Sequence, residues 1–91
     1  MALKWSLSAE RVLVRLHHFL VPVNRRAATQ VVRQLIQAAE QLLTHPQLGV
    51  SLEEFAPRNV RRLFAGDYEL RYELTDTTIY VLRIWHVRED R

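Results

Sequence analysis

The sequence of 91 residues predicts an α+β fold, in which a helical hairpin packs on an antiparallel sheet. Two amphipathic helical segments follow a short first strand, and three segments with strand periodicity follow the helices. Three consecutive strands joined by short turns form an antiparallel meander, whose apolar face the helix pair must cover. The predicted order is therefore β-α-α-β-β-β, and a chain of this length forms one domain, residues 1–91.

The hairpin in the last third of the chain has the clearest pattern. Residues 68–74 alternate, so that tyrosines and leucines share one face while Glu69, Arg71 and Glu73 share the other. Residues 78–86 are apolar at most positions and carry one arginine. Strict alternation in this run groups four side chains on one face: Ile79, Val81, Arg83 and Trp85. A short polar turn joins the two runs, which predicts a hairpin with one packed face and one open face that carries arginines.

The first half of the chain predicts one strand and two helices. Residues 3–7 alternate, and this strand must pair with the distant hairpin because it has no adjacent partner. Ser8 is the predicted N-cap of a first helix over residues 9–20. Asn24 is the predicted cap of a longer second helix, which ends before Pro46.

A loop and a further strand connect the second helix to the hairpin. Gly49 permits the turn that follows the helix, and Leu52 and Phe55 can attach the irregular loop to the core. Residues 60–64 predict a strand, which a tight turn joins to the hairpin. Arg61 of this strand is a candidate member of the open face.

The type of the basic residues in this chain is more informative than their number. Thirteen basic and ten acidic residues give a net charge of +3, which by itself does not indicate nucleic-acid binding. Twelve of the thirteen cations are arginine, and seven of these lie from Arg58 onward. Arginine offers a rigid fork for phosphates and carboxylates, so the cluster is either a functional basic patch or a solvated face.

Several kinds of site have little support in the sequence. The absence of cysteine excludes disulfides and thiolate metal sites, and two glycines cannot form a glycine-rich phosphate loop. His17 and His18 are adjacent, and adjacent residues diverge by about 100° around a helix, so they do not form a metal-binding pair. No apolar run has the length of a membrane span, and we expect a cytoplasmic protein that does not associate with membranes.

The second half of the chain resembles a known toxin superfamily. The resemblance lies in the following segments: Arg61-Arg62-Leu63, Gly66-Asp67-Tyr68, Leu70-Arg71-Tyr72-Glu73, residues 79–86, and Arg88-Glu89-Asp90. Together with Pro46 and Gly49 after the long helix, they are similar to RelE/ParE toxins of bacterial type II toxin–antitoxin modules. The resemblance implies the fold of that superfamily and a cognate antitoxin as partner, without a cofactor or a metal.

The superfamily divides between two activities. RelE-like members cleave mRNA in the ribosomal A site, and ParE-like members poison DNA gyrase by binding. The resemblance is stronger to the ParE-like branch, because Glu69 and Val87 occupy positions where ribonuclease members often carry an arginine and a tyrosine. As a ribonuclease, the chain would use these residues: Arg62, Arg71, Arg83 and His86. As a gyrase inhibitor, it would contact its target through these: Arg71, Arg83, Trp85, His86 and Arg88.

Both branches are neutralised by an antitoxin, which usually wraps a disordered segment over the toxin. The candidate contacts here are apolar residues of the first strand and first helix, together with one arginine: Leu3, Trp5, Leu7, Leu16, Phe19 and Arg33. We therefore predict a ParE-like toxin that inhibits gyrase and is held inactive by an antitoxin. The alternatives are a ribosome-dependent mRNA endonuclease and a binding module that has lost toxicity.

Overall fold

The computed structural model describes residues 1–88, in which two helices pack on one face of a five-stranded sheet. The elements have these bounds: β1, Ala2–Trp5; α1, Leu7–Leu20; α2, Arg25–Glu40, extended by a 3-10 turn at Gln41–Leu43; β2, Val50–Ser51; a second 3-10 turn, Glu53–Phe55; β3, Val60–Ala65; β4, Tyr68–Leu74; β5, Thr78–His86. The predicted α+β class and element order are confirmed, and β2 is an addition. No helix within the described residues is long and apolar enough to cross a membrane.

The strands follow the order β1-β5-β4-β3-β2 across the sheet. β1 lies parallel to β5, from Ala2 opposite Thr78 to Trp5 opposite Val81, whereas the other pairs are antiparallel. The first strand therefore pairs with the distant hairpin, as the sequence predicts. Beyond Val81 the outer edge of β5 lies beside the start of α1, and this arrangement opens a cleft there.

The helices begin at side-chain caps, of which the sequence predicts one correctly. Asn24 Oδ1 accepts the backbone N–H of Ala27 at 3.0 Å, so the predicted cap of α2 is confirmed. The prediction of Ser8 as the cap of α1 is wrong, because Ser6 Oγ accepts the N–H of Ala9 at 3.0 Å. The same hydroxyl donates to the Leu82 carbonyl at 2.7 Å, which fixes the start of the helix to β5.

The main core lies between the helix pair and the sheet. Its buried members are the following: Ala9, Leu35, Ala39, Leu42, Ala65, Leu70, Tyr72, Ile79, Val81 and Ile84. The three alanines have no bulky side chain and leave room for the larger residues of the sheet. Each fully buried leucine or isoleucine contributes roughly 1.5–3 kcal/mol relative to an exposed one.

A one-residue irregularity in the hairpin changes which side chains of β5 reach the core. Arg71 lies opposite Arg83, but the next residue of β4, Tyr72, lies opposite Val81, so Leu82 has no opposing residue. Ile84 is therefore buried on the same side as Ile79 and Val81. The strict alternation expected from the sequence, which grouped Ile79 and Val81 with Arg83, is wrong for this reason.

A buried tyrosine attaches the loop after α2 to the sheet. The Tyr72 hydroxyl donates to the Pro46 carbonyl at 2.7 Å and accepts the N–H of Gly49 at 2.9 Å. A Cβ at Gly49 would lie 2.7 Å from the Arg62 carbonyl oxygen and 2.7 Å from the Tyr72 ring. Gly49 has no positive φ, so this close packing explains the glycine better than the turn inferred from the sequence.

Arg61 also holds this loop to the sheet, and its side chain does not lie on the open face that carries the other arginines. It lies opposite Tyr72, and its guanidinium donates to the Gly49 carbonyl at 2.8 Å and to the Gln47 carbonyl at 3.2 Å. Its Nε donates to Asn59 Oδ1 at 3.0 Å. The expectation that Arg61 joins the open face is therefore wrong, because the pleat of β3 sends its neighbour Arg62 to that side.

Candidate functional site

Three arginines form a row across three neighbouring strands of the sheet. Arg62 of β3 lies opposite Arg71 of β4, which in turn lies opposite Arg83 of β5. Neighbouring strands are about 4.8 Å apart, so the row extends over roughly 10 Å. The expectation that Arg71 and Arg83 share a face is confirmed. Like charges placed directly opposite one another destabilise a sheet, so the fold carries this row at a cost.

Arg71, the central member of the row, is held by its neighbours. Its Nη2 donates to Glu69 Oε2 at 3.1 Å, and the Glu69 side chain is fully buried. The guanidinium lies 4.7 Å from the centre of the Trp85 ring and 5.6 Å from that of Phe55. Stacking on two aromatic rings and one charged hydrogen bond restrict the rotamers of Arg71, so its charge has a fixed place on the sheet.

The outer members of the row differ in exposure. Arg62 is partly buried and lies 5.6 Å from the centre of the Phe64 ring, which is itself 54% exposed. Arg83 is exposed to solvent. The Nε–H groups of Arg62 and Arg71 are buried and have no hydrogen-bond partner within the described part of the chain. These two donors lie beneath the surface, so they add an unpaired polar group to the cost of the row.

The row forms one side of a cleft of about 990 Å³, and α1 forms the other side. Arg15 of α1 adds a fourth arginine, and no acidic side chain of residues 1–88 lines the cleft. The α1 wall is otherwise largely apolar, with Val12, Leu16 and Phe19, of which Phe19 is 76% exposed. The cleft thus combines concentrated positive charge with an exposed apolar wall.

The arginine face is partly covered, so the expectation of an entirely open face is wrong. The 3-10 turn at Glu53–Phe55 packs over part of it, and Val60 and Trp85 are almost completely buried on that side. Next to this turn, Arg58 donates two hydrogen bonds to the Glu73 carboxylate, at 2.8 Å and 3.2 Å. The hydrogen bonds from Arg58 lower the pKa of Glu73 below its ordinary value.

His86 lies on the other side of the sheet from the arginine row. It is opposite Tyr68, and the two rings meet edge to face with their centres 5.2 Å apart. Tyr68 packs against the core beneath the helices, so His86 belongs to the helix side of the sheet. Of the residues expected for ribonuclease chemistry, the structure therefore brings together the three arginines but not the histidine.

The remaining residues predicted for target binding lie at the end of β5. Trp85 is only 8% exposed and supports Arg71 from within the sheet. Arg88 is exposed, and its backbone N–H donates to His86 Nδ1 at 3.1 Å. Glu89 and Asp90, which contribute to the resemblance seen in the sequence, lie outside the described residues.

Comparison with known proteins gives the family. A family model described as "ParE toxin of type II toxin-antitoxin system, parDE" matches residues 3–91. The chain belongs to the ParE toxin family. Ten chains of solved structures also match. One, titled "Chromosomal ParDE TA system from P. aeruginosa", shares 22% sequence identity at a TM-score of 0.76, over 94% of this chain and 95% of that one. The comparison with curated proteins gave no significant match.

The residues predicted to contact an antitoxin fall in three places on this ParE-family toxin. Leu3 and Trp5 of β1 are half-buried against the core at the edge of the sheet, and Leu7, at the start of α1, is 60% exposed. Leu16 and Phe19 line the arginine cleft. The sixth residue, Arg33, is exposed on α2 and lines a separate depression with His17, Thr29 and others.

The sequence did not single out Arg15 and Phe64 as parts of the site. Arg15 lies four residues before Phe19 on α1, so helical spacing places both on the side that faces the cleft. Phe64 is an apolar residue at an exposed position two residues after Arg62, which a strand places on the same face. The two-residue spacing of Arg62 and Phe64 in the predicted strand was the available signal for this part of the site.

Proposed function

We propose that this ParE-family toxin inhibits DNA gyrase by binding, and thereby blocks replication, with the arginine row as its principal contact. Membership of the ParE family supports a toxin of a type II toxin–antitoxin module. The row of Arg62, Arg71 and Arg83 supports recognition of an anionic surface, because the three side chains lie in one line and Arg71 is fixed in place.

One observation favours binding over RNA cleavage. Metal-free cleavage needs a base, an acid and cations around the same phosphate. The arginines lie on one side of the sheet, and His86, the acid–base group suggested by resemblance to ribonucleases, lies on the other. The carboxylate of Glu69 is buried and bound to Arg71, so it reduces the positive charge at the centre of the row.

A cognate antitoxin is the second partner in this proposal. The exposed apolar side chains of Leu7 and Phe19 offer contacts to such a protein. An antitoxin segment in the cleft would contact the α1 wall through Leu16 and Phe19 and pair its acidic side chains with the arginines. Occupation of the cleft would keep the toxin from its target.

The test is inhibition of purified gyrase in a DNA supercoiling assay. We expect the wild-type chain to inhibit supercoiling and Arg83→Glu to weaken inhibition by at least roughly 10-fold, since a charged hydrogen bond is worth about 1.5–3 kcal/mol. Arg83 is exposed, and its replacement leaves the main core intact. Arg26→Glu is the matched control, because Arg26 is exposed in the first turn of α2 and does not line the cleft.

The competing activity is measured on the same preparations in a cell-free translation reaction. We expect no cleavage of the translated mRNA. Ribosome-dependent cuts within codons, together with supercoiling that is unaffected by an excess of toxin, would refute the gyrase proposal. In cells, DNA synthesis should stop before protein synthesis after induction of the toxin.

A further inference from the structure

Four of the thirteen basic residues of the chain line one cleft, where their charge is balanced only in part. Four arginines line the cleft, and within residues 1–88 no acidic side chain does. Among the three arginines of the row, only Arg71 forms an ion pair with a described residue, the pair with Glu69. A sequence pI of about 10.0 together with a patch of four arginines is a charge distribution that occurs in proteins that bind nucleic acid.

The row carries positive charge that the described residues compensate only in part. The Nε–H groups of Arg62 and Arg71 are buried without a hydrogen-bond partner in the described residues, although buried donors are normally paired. An anion placed over the row would accept from the guanidinium of the exposed Arg83 and relieve the repulsion between the opposed guanidinium groups. The stacking of Arg71 between Trp85 and Phe55 fixes its charge before any ligand binds.

The spacing of the row indicates which anion fits. The row extends over roughly 10 Å, and the single strand of B-DNA that can face it carries one negative charge per about 3.4 Å of helix axis, or about three charges in that length. An extended acidic peptide presents a side chain to the same face only every 6.6 Å or so, which gives about two charges. Phe64, exposed at one end of the row, adds an apolar contact of the kind that a sugar or base accepts.

We propose that the row of Arg62, Arg71 and Arg83 binds the phosphodiester backbone of DNA. This inference rests on the proposed function and makes it more specific: the toxin contacts the DNA that gyrase holds as well as the enzyme. The contacts go to phosphate oxygens, so binding does not depend on base sequence. Binding of the toxin is then stronger to gyrase with DNA than to gyrase alone.

Fluorescence anisotropy with a short labelled DNA duplex tests the site directly. With three to four phosphate contacts, log K for the wild type should fall with log salt at a slope of roughly −3 between about 50 mM and 200 mM salt. Arg83→Gln and Arg62→Gln should each weaken binding by roughly 10-fold and reduce the slope by about 1. Arg26→Gln removes the same charge outside the cleft and should change affinity by less than about 2-fold.

Several results would overturn the inference. They are the absence of salt-dependent DNA binding by the wild type, an equal loss of affinity in Arg26→Gln and Arg83→Gln, and displacement of the DNA by polyglutamate as readily as by unlabelled duplex. Displacement by inorganic phosphate or ATP at the concentration at which duplex DNA competes would assign the site to free phosphates instead. Circular dichroism of each variant shows whether the variant is folded, and this separates a loss of DNA affinity from unfolding.

The failure of this inference is distinguishable from the failure of the proposed function. If the wild-type chain inhibits supercoiling but does not bind the DNA duplex, the phosphate site is refuted while gyrase inhibition stands. If the chain binds DNA as predicted but never inhibits supercoiling, the proposed function is refuted while the phosphate site stands.

Discussion

The hydroxyl of Tyr72 is the most informative single group for the stability of this fold. It joins the loop after α2 to the middle of the sheet by donating to the Pro46 carbonyl and accepting the N–H of Gly49. Tyr72 has no exposed surface, and Gly49 is buried as well. Tyr72→Phe removes one oxygen atom, keeps the ring, and leaves a buried N–H without its acceptor.

The size of the destabilisation follows from the free-energy cost of leaving the Gly49 N–H unpaired. A buried polar group that loses its partner costs about 1–3 kcal/mol, so we expect the free energy of unfolding to fall by about 2 kcal/mol. For a domain of this size each kcal/mol corresponds to about 4–8 °C, so the Tm should fall by about 8–16 °C. Tyr80→Phe is the control, since Tyr80 is 38% exposed on β5 and its hydroxyl makes no hydrogen bond with residues 1–88.

Urea unfolding followed by circular dichroism measures the difference, and its pH dependence adds a second readout. Burial raises the pKa of Tyr72, and the N–H of Gly49 and the charge of Arg61 oppose this effect only in part. The unfolded phenol therefore ionises first, so the wild type should lose stability as the pH rises above about 10. Tyr72→Phe should lack this alkaline component. If Tyr72→Phe lowers the free energy of unfolding by less than about 0.5 kcal/mol at neutral pH, the assigned hydrogen bonds are refuted, because an unpaired buried donor costs more.

Three further changes test other parts of the structure. Gly49→Ala should destabilise the fold by at least about 2 kcal/mol in urea unfolding, because its Cβ would lie 2.7 Å from a backbone oxygen of β3; an unchanged midpoint would show that the close approach is not real. Ser6→Ala should cost about 1–2 kcal/mol through loss of the α1 cap, whereas Ser8→Ala should be near neutral, and the reverse order would contradict the cap assignment. Glu73 has a pKa lowered by Arg58, so its stabilising contribution is present above about pH 4.3 and is lost as the pH falls through its folded pKa. The effect should be small because Arg58 is exposed to solvent, and Glu73→Gln should remove it from an acid titration of the unfolding midpoint.

The sequence predicts those features that depend on neighbouring residues. Alternation identifies β4, and helical spacing together with Asn24 identifies α2, because side-chain periodicity and capping act within a few residues. Ser6 and Ser8 show where this reasoning stops. A serine at either position can cap a helix. Ser6 is the cap in the structure because its hydroxyl also donates to the carbonyl of Leu82, which is distant in the sequence.

The candidate site also combines features that the sequence predicts with features that depend on contacts between distant segments. The arginine content and the placement of Arg71 and Arg83 on one face were predicted from the sequence, but their direct pairing and the membership of the row were not. Arg61 and Arg62 are adjacent and chemically identical, and the pairing of β3 with β4 decides which one faces the cleft. Arg15 joins the site only because α1 begins where β1 leaves β5, and this placement depends on the parallel pairing of two distant strands.

The sequence by itself determined the fold class, the two helices, the hairpin and the resemblance to ParE toxins, since these rest on local periodicity and on recognisable runs of residues. Only the tertiary structure decided that Leu82 is left without an opposing residue, that His86 lies away from the arginines, and that Gly49 is needed for close packing. The physical reason is that a single shift in strand register reverses the face of every following side chain, and register depends on packing between distant segments.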